Sequence, residues 1–200
     1  MGFFTLFEII DLIIIVFALG FIFSGFFKAP PREDYMKDPV AYYMKRKSRW
    51  FNWDDFKFAT IVVAPAIVLH ELGHKFAAMG FGALAEFHAA YLFLGLGILL
   101  RLLNFGFIFF VPAYVAWSGA VAPYQASLIA FAGPAVNLAL WLGAAAWLRY
   151  GKVKSRWIPA VKLTSKINMF LFIFNMIPLK LGALAFDGYH VFSNLIGYIF

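Results

Sequence analysis

The feature that most constrains this chain is the apolar run from Gly2 to Phe27, whose only ionisable residues are Glu8 and Asp11. About 20 such residues are what a helix needs to cross a bilayer, and inside lipid only a helix or a closed barrel satisfies every backbone amide. The run exceeds the apolar core of a signal peptide and no Lys or Arg precedes it, so it reads as a retained anchor helix. Similar spans cover about Phe58 to Met79 and Gln125 to Leu148, and a further one starts near Ile167. That last span is interrupted around Pro178 to Gly188 and is helical again over Tyr189 to Phe200.

Between the second and third spans, Gly95, Gly97, Asn104, Gly106, Pro112 and Gly119 break the pattern, with Arg101 in the middle. Irregular backbone at membrane depth is tolerated only against protein or a water-filled cavity, so this region should pack near a site, with Phe107 to Trp117 extended. The expected fold is an all-α polytopic membrane protein with about four transmembrane helices and a broken last span. A membrane-embedded irregular or extended segment separates the second and third helices. One membrane domain accounts for residues 1–200: an anchor helix over 1–27, a basic interfacial loop over 28–57 and a catalytic core over 58–200. Composition agrees, since 64% of residues are hydrophobic and 14% charged, a balance foreign to soluble domains. The expected setting is a multi-pass protein of the cell membrane.

A net charge of +7 suggests nucleic acid at first sight, but fourteen of the 17 Lys and Arg residues fall in two connections, 28–57 and 149–166. Charge placed between apolar spans faces lipid headgroups, so the bilayer is the expected partner and nucleic acid is not. Tyr42 to Phe58 mixes Lys45, Arg46, Lys47 and Arg49 with Trp50, Phe51 and Trp53, the blend of an interfacial helix. Glu8 and Asp11 share a helix face and should lie near the interface or face the bundle, without chemistry.

The chain has no cysteine, which excludes disulfides, thiolate metal sites and cysteine nucleophiles. Any metal must be held by His and carboxylates. Val68-Leu69-His70-Glu71-Leu72-Gly73-His74 places His-Glu-x-x-His on a predicted helix. Residues four apart share a helix face, so His70 and His74 can point at one zinc ion, with Glu71 near enough to act as general base for the attacking water. Left without partners, two imidazoles and a carboxylate in hydrocarbon would cost several kcal/mol. A catalytic zinc needs a third protein ligand. Asp187, where the last span is interrupted, is one candidate; Glu86 and His88, shortly after His74, are the alternatives. Pro134 inside a span kinks a helix or opens its first turn, and Gly133 allows close helix approach. Packing and catalysis are equally open for that pair.

These residues resemble the site-2 protease family of intramembrane zinc metalloproteases. Three motifs occur in the family's order. They are His70-Glu71-Leu72-Gly73-His74; Gly133-Pro134-Ala135-Val136-Asn137; and Asn175-Met176-Ile177-Pro178 followed by Asp187-Gly188. Phe110-Val111-Pro112-Ala113-Tyr114-Val115 also looks like the family's membrane-embedded strand, thought to pair with an unwound substrate segment. The resemblance spans about Phe58 to Phe192. It implies one zinc per chain held by His70, His74 and Asp187, with Glu71 as base. It implies that Asn175 and Asn137 orient the substrate or stabilise the oxyanion, and that the substrate is a transmembrane-helix protein, unwound before cleavage. Two departures stand out. Asp187 follows Pro178 by more residues than is usual, so Leu179 to Phe186 should form a bulge or lid. Ala113-Tyr114 stands where the family has a double glycine after the strand's proline.

Orientation stays open. The positive-inside rule puts the two basic connections in the cytoplasm and the site toward the exterior, provided 81–121 makes no net crossing; the resemblance puts the site nearer the cytoplasm. The competing function is a non-proteolytic zinc-binding scaffold, or an ion transporter using the same polar residues. A transporter would more naturally show two related halves, and the chain shows no internal repeat.

Overall fold

A computed structural model describes residues 3–31, 38, 40, 44, 51–105, 111–182 and 184–199. The basic segment proposed as interfacial lies largely outside these, as do positions 107–110 of the expected extended stretch. The described chain is mostly helical, and four helices are long and apolar enough to cross a membrane. They are α1 (Leu6–Phe23), α2 (Trp53–Gly80), α4 (Pro123–Tyr150), and α5 (Ile158–Asn175) with the short turn Ser155–Trp157 before it. Between α2 and α4 come β1 (Leu84–Ala89), α3 (Tyr91–Leu102) and β2 (Ala113–Ser118). After α5 come β3 (Lys180–Leu181), β4 (Leu184–Ala185) and α6 (Asp187–Ile199).

Helix starts follow local capping chemistry and move two of the expected boundaries. Thr5 and Glu8 form a reciprocal capping box at α1, satisfying amides with no intrahelical partner. The Asn52 side chain accepts from the amides of Asp54 and Asp55, so α2 begins at Trp53 rather than near Phe58. Pro159 lies in the first turn of α5, where its missing N–H costs nothing. That helix therefore starts at Ile158 rather than near Ile167. Lys162 and Lys166 consequently sit on the helix and not in a loop.

α4 is the hub, packing on α2, α5 and α6. A second cluster joins Ile15, Leu19 and Ile22 of α1 to Val63 and Ala64 of α2, Phe87 and Ala89 of β1, Leu94 of α3 and Ala113 of β2. The strands pair antiparallel from Leu84↔Ser118 to Ala89↔Ala113, so the chain leaves this excursion at the end of the bundle where it entered. α3 runs along α1 from Tyr91, whose hydroxyl bonds Asp11, to Arg101, which packs on Gly25 and Phe21. At the opposite end of the bundle from the β1 entry, Ala29 donates to Asp55 at 2.9 Å. Pro30 there borders a shallow cleft together with Lys57 and Arg156. The connection before α2 and the one after α4 thus meet at one end.

Glu8 and Asp11 face the bundle. Their carboxylates accept the amides of Phe87 at 2.8 Å and Ala89 at 2.9 Å, capping the outer edge of β1. Lys75 of α2 closes an ion pair with Glu8, and both side chains are almost fully buried. A strand edge left bare in this setting would carry unpaired amides, each costing several kcal/mol.

Candidate metal centre

α2 carries His70 and His74 on its buried face. Their Nε2 atoms lie 3.1 Å apart. Asp187, the first residue of α6, brings Oδ2 to 3.1 Å from His70 Nε2 and Oδ1 to 3.5 Å from His74 Nε2. Ligand atoms about 2.0–2.1 Å from a tetrahedral zinc stand roughly 3.3 Å from one another, so the spacing is that of three corners of such a site.

The hydrogen bonds on the far side of each ring fix which nitrogen is available. His74 Nδ1 lies 2.7 Å from the carbonyl of Ile129; a carbonyl only accepts, so this nitrogen carries the proton. His70 Nδ1 lies 2.6 Å from Asn137 Oδ1. That amide's orientation follows from its nitrogen, which donates to the Ala66 carbonyl at 2.9 Å. In the neutral form both rings therefore carry Nδ1–H and turn bare Nε2 lone pairs inward, beside a carboxylate. Three acceptors converging with no proton between them repel one another unless a cation sits among them.

Room for that cation is left by Gly133. A Cβ there would lie 2.2 Å from His74 Nε2 and 2.7 Å from His70 Nε2. Glycine at this position thus keeps clear the space that the two ligands face, and Pro134, with no N–H for the Ala130 carbonyl, loosens α4 beside it. The residues present fit a zinc ion, with three protein ligands and the remaining position open, as catalytic sites require.

Asp187 reaches this point because the extra residues before it fold away. β3 pairs with β4 as Lys180↔Ala185 and Leu181↔Leu184, and the Phe186 amide bonds the Leu179 carbonyl at 3.0 Å. The expected bulge is therefore a hairpin that returns the chain to where it left. Gly188 lies so close to the turn after α5 that a Cβ would meet the Met176 carbonyl oxygen at 2.3 Å, and Phe186 packs edge-on against Phe174. Those contacts hold the start of α6 in place.

A cavity of about 690 Å3 opens from the three ligands. Glu71 and Asn175 line it with them, and so do Ala113, Val115 and Trp117 of β2. Asn137 is fully buried behind His70, on the side of the ring away from Nε2.

The comparisons with known proteins bear on what such a centre does. No protein-family profile matches the chain, and no solved structure matches it. A Methanocaldococcus jannaschii protein named "Putative zinc metalloprotease" is 34% identical over 184 residues, covering 90% of this chain and 81% of the relative. The chain belongs to this zinc metalloprotease family. A Synechocystis protein of the same name is 29% identical over 136 residues, 68% of this chain and 30% of that longer relative.

Within this metalloprotease the remaining candidates fall outside the centre. Glu86 and His88 sit on β1, 3.7 Å from each other, and His88 packs beside Tyr114. Among the described residues the metal-ligating group is His70, His74 and Asp187 without them. Asn168 of α5 was missed by sequence reasoning. It is fully buried and accepts from Asn137 Nδ2 at 2.9 Å. The signal was available, since an amide in the middle of an apolar span needs a partner just as Asp187 does.

Proposed function

We propose that this chain is an intramembrane zinc metalloprotease of the site-2 type, holding one zinc per chain on His70, His74 and Asp187. The observation that carries the reading is the pair of inward Nε2 lone pairs facing Asp187, with Glu71 on the wall of the same cavity. Bound zinc would polarise the scissile carbonyl and acidify the attacking water. Glu71 accepts that water's proton and returns it to the leaving amine, as a general base and then a general acid. Asn175, at the cavity wall, donates to the developing oxyanion.

The substrate we infer is a transmembrane helix, which must unwind because its own hydrogen bonds hide its carbonyls. β2 offers the unwound segment a partner. The amides of Phe87 and Ala89 point toward α1, so the alternation of an antiparallel pair turns those of Val115 and Ala113 to the edge away from β1. That edge borders the cavity, and strand addition supplies main-chain hydrogen bonds with little regard to side chains. The whole chain would act as one multi-pass domain of the cell membrane.

Glu71→Gln tests the assignment. Zinc content should stay at one per chain while cleavage of a reconstituted transmembrane substrate falls by about 10^2 to 10^4. Unchanged proteolysis by that variant refutes it.

A further inference from the structure

The hydrogen bonds behind His70 extend one residue further than the proposed function uses. Asn137 Nδ2 donates both its protons, to the Ala66 carbonyl and to Asn168 Oδ1, each at 2.9 Å. Asn168 is oriented in turn, because its Nδ2 donates to the Thr164 carbonyl at 2.8 Å. Each amide is anchored by a backbone carbonyl that can only accept, so the direction of every bond in the chain from Thr164 to His70 is fixed. Asn137 and Asn168 are both inaccessible to solvent, so water does not offer either one an alternative partner.

We propose that Asn168 is a positioning residue for the metal centre. It holds the Asn137 amide with Oδ1 toward His70, and so keeps the imidazole proton on Nδ1 and the Nε2 lone pair toward the metal. A flipped Asn137 would present N–H to His70 Nδ1. The imidazole would then hold its proton on Nε2, where it blocks ligation. Ala66 alone gives the amide one anchor; Asn168 gives the second and links α5 to the ligand on α2 through α4. Outer partners of ligating histidines fix tautomer and ring orientation in this way. This rests on the zinc reading above and adds a residue that does not touch the metal.

The test measures zinc affinity of the full chain in detergent by competition with a chromogenic chelator, alongside the visible spectrum of the cobalt-substituted protein. Asn137→Ala should weaken zinc binding about 10- to 100-fold, and Asn168→Leu about 3- to 10-fold. Asn168→Asp keeps an acceptor oxygen opposite Asn137 and should stay within about 2-fold of wild type, with an unchanged cobalt spectrum. In the Asn137→Ala background, Asn168→Leu should cost nothing further, because its effect passes through Asn137. If the Leu variant does not fold, Asn168→Ser takes its place, being polar but too short to reach Asn137. Wild-type affinity in Asn168→Leu or its Ser substitute, or a loss that adds in full to that of Asn137→Ala, overturns the proposal while leaving the zinc site standing. Absence of zinc binding by the wild-type chain overturns both.

Discussion

Replacing Gly133 with alanine adds one methyl group, and the structure fixes where that methyl must go. It would stand 2.2 Å from His74 Nε2, 2.6 Å from His74 Cε1 and 2.7 Å from His70 Nε2, where ordinary contact begins at 3.4 Å. Zinc needs its nitrogens at about 2.0–2.1 Å, so the methyl competes for the space the metal requires. Relief demands that α4 back away from α2 by roughly 1 Å, whereas metal–ligand distances tolerate only about 0.2 Å. The retreat would also pull Ile129 and Asn137, both on α4, off the two histidines. Zinc affinity should therefore fall by at least about 100-fold, the upper end of what losing one outer partner does. Folding should suffer far less. Overpacking costs about 1–3 kcal/mol, while alanine gains about 1 kcal/mol over glycine in a helix. The assay pairs chelator competition with thermal unfolding of the zinc-free protein. Gly143→Ala is the control on the same helix, since a Cβ there meets nothing within 4 Å, and it should leave zinc binding unchanged. A folded Gly133→Ala protein that binds zinc like wild type would refute this account of the site.

Other expectations follow from the same geometry. Asp187→Ala removes the third ligand, so zinc per chain measured by atomic absorption after dialysis should drop well below one; full occupancy would remove Asp187 from the ligand set. Lys75→Met leaves Glu8 buried without its ion-pair partner, and should destabilise the protein by about 3–5 kcal/mol. Paired Glu8→Gln and Lys75→Met substitutions should recover part of that loss in the same unfolding measurement. Single cysteines introduced at Pro31 and Ser155 should react with an impermeant maleimide from one face of the membrane, and a cysteine at Ser118 from the other. Labelling of all three from one side would contradict a β1–α3–β2 excursion that returns to the end it left.

The last span shows where sequence reading reaches its limit. Its break around Pro178 and Gly188 was visible, and so was the oddity of a carboxylate at Asp187. The eight residues between Pro178 and Asp187 gave no sign of pairing with themselves, because two-residue strands are too short to leave an alternating pattern. The start of α5 was misplaced for a related reason. Six basic residues and no acid over 149–166 read as a loop, yet the helix begins at Ile158 with Pro159 in its first turn and carries Lys162 and Lys166.

By itself the sequence determined that the chain needs lipid, that two imidazoles share one helix face, and that Glu71 stands beside them. These follow from local periods of hydrophobicity and from four-residue spacing. Only the tertiary structure decided which polar groups meet. Asp187 joins His70 across 117 positions, Asn137 takes the back of His70 across 67, and Gly133 faces the space left between the ligands. The physical reason is that a helix fixes angles among its own residues but not its rotation or height against its neighbours. In this protein those are set by the close contact of α2 with α4 and by the hairpin that delivers α6.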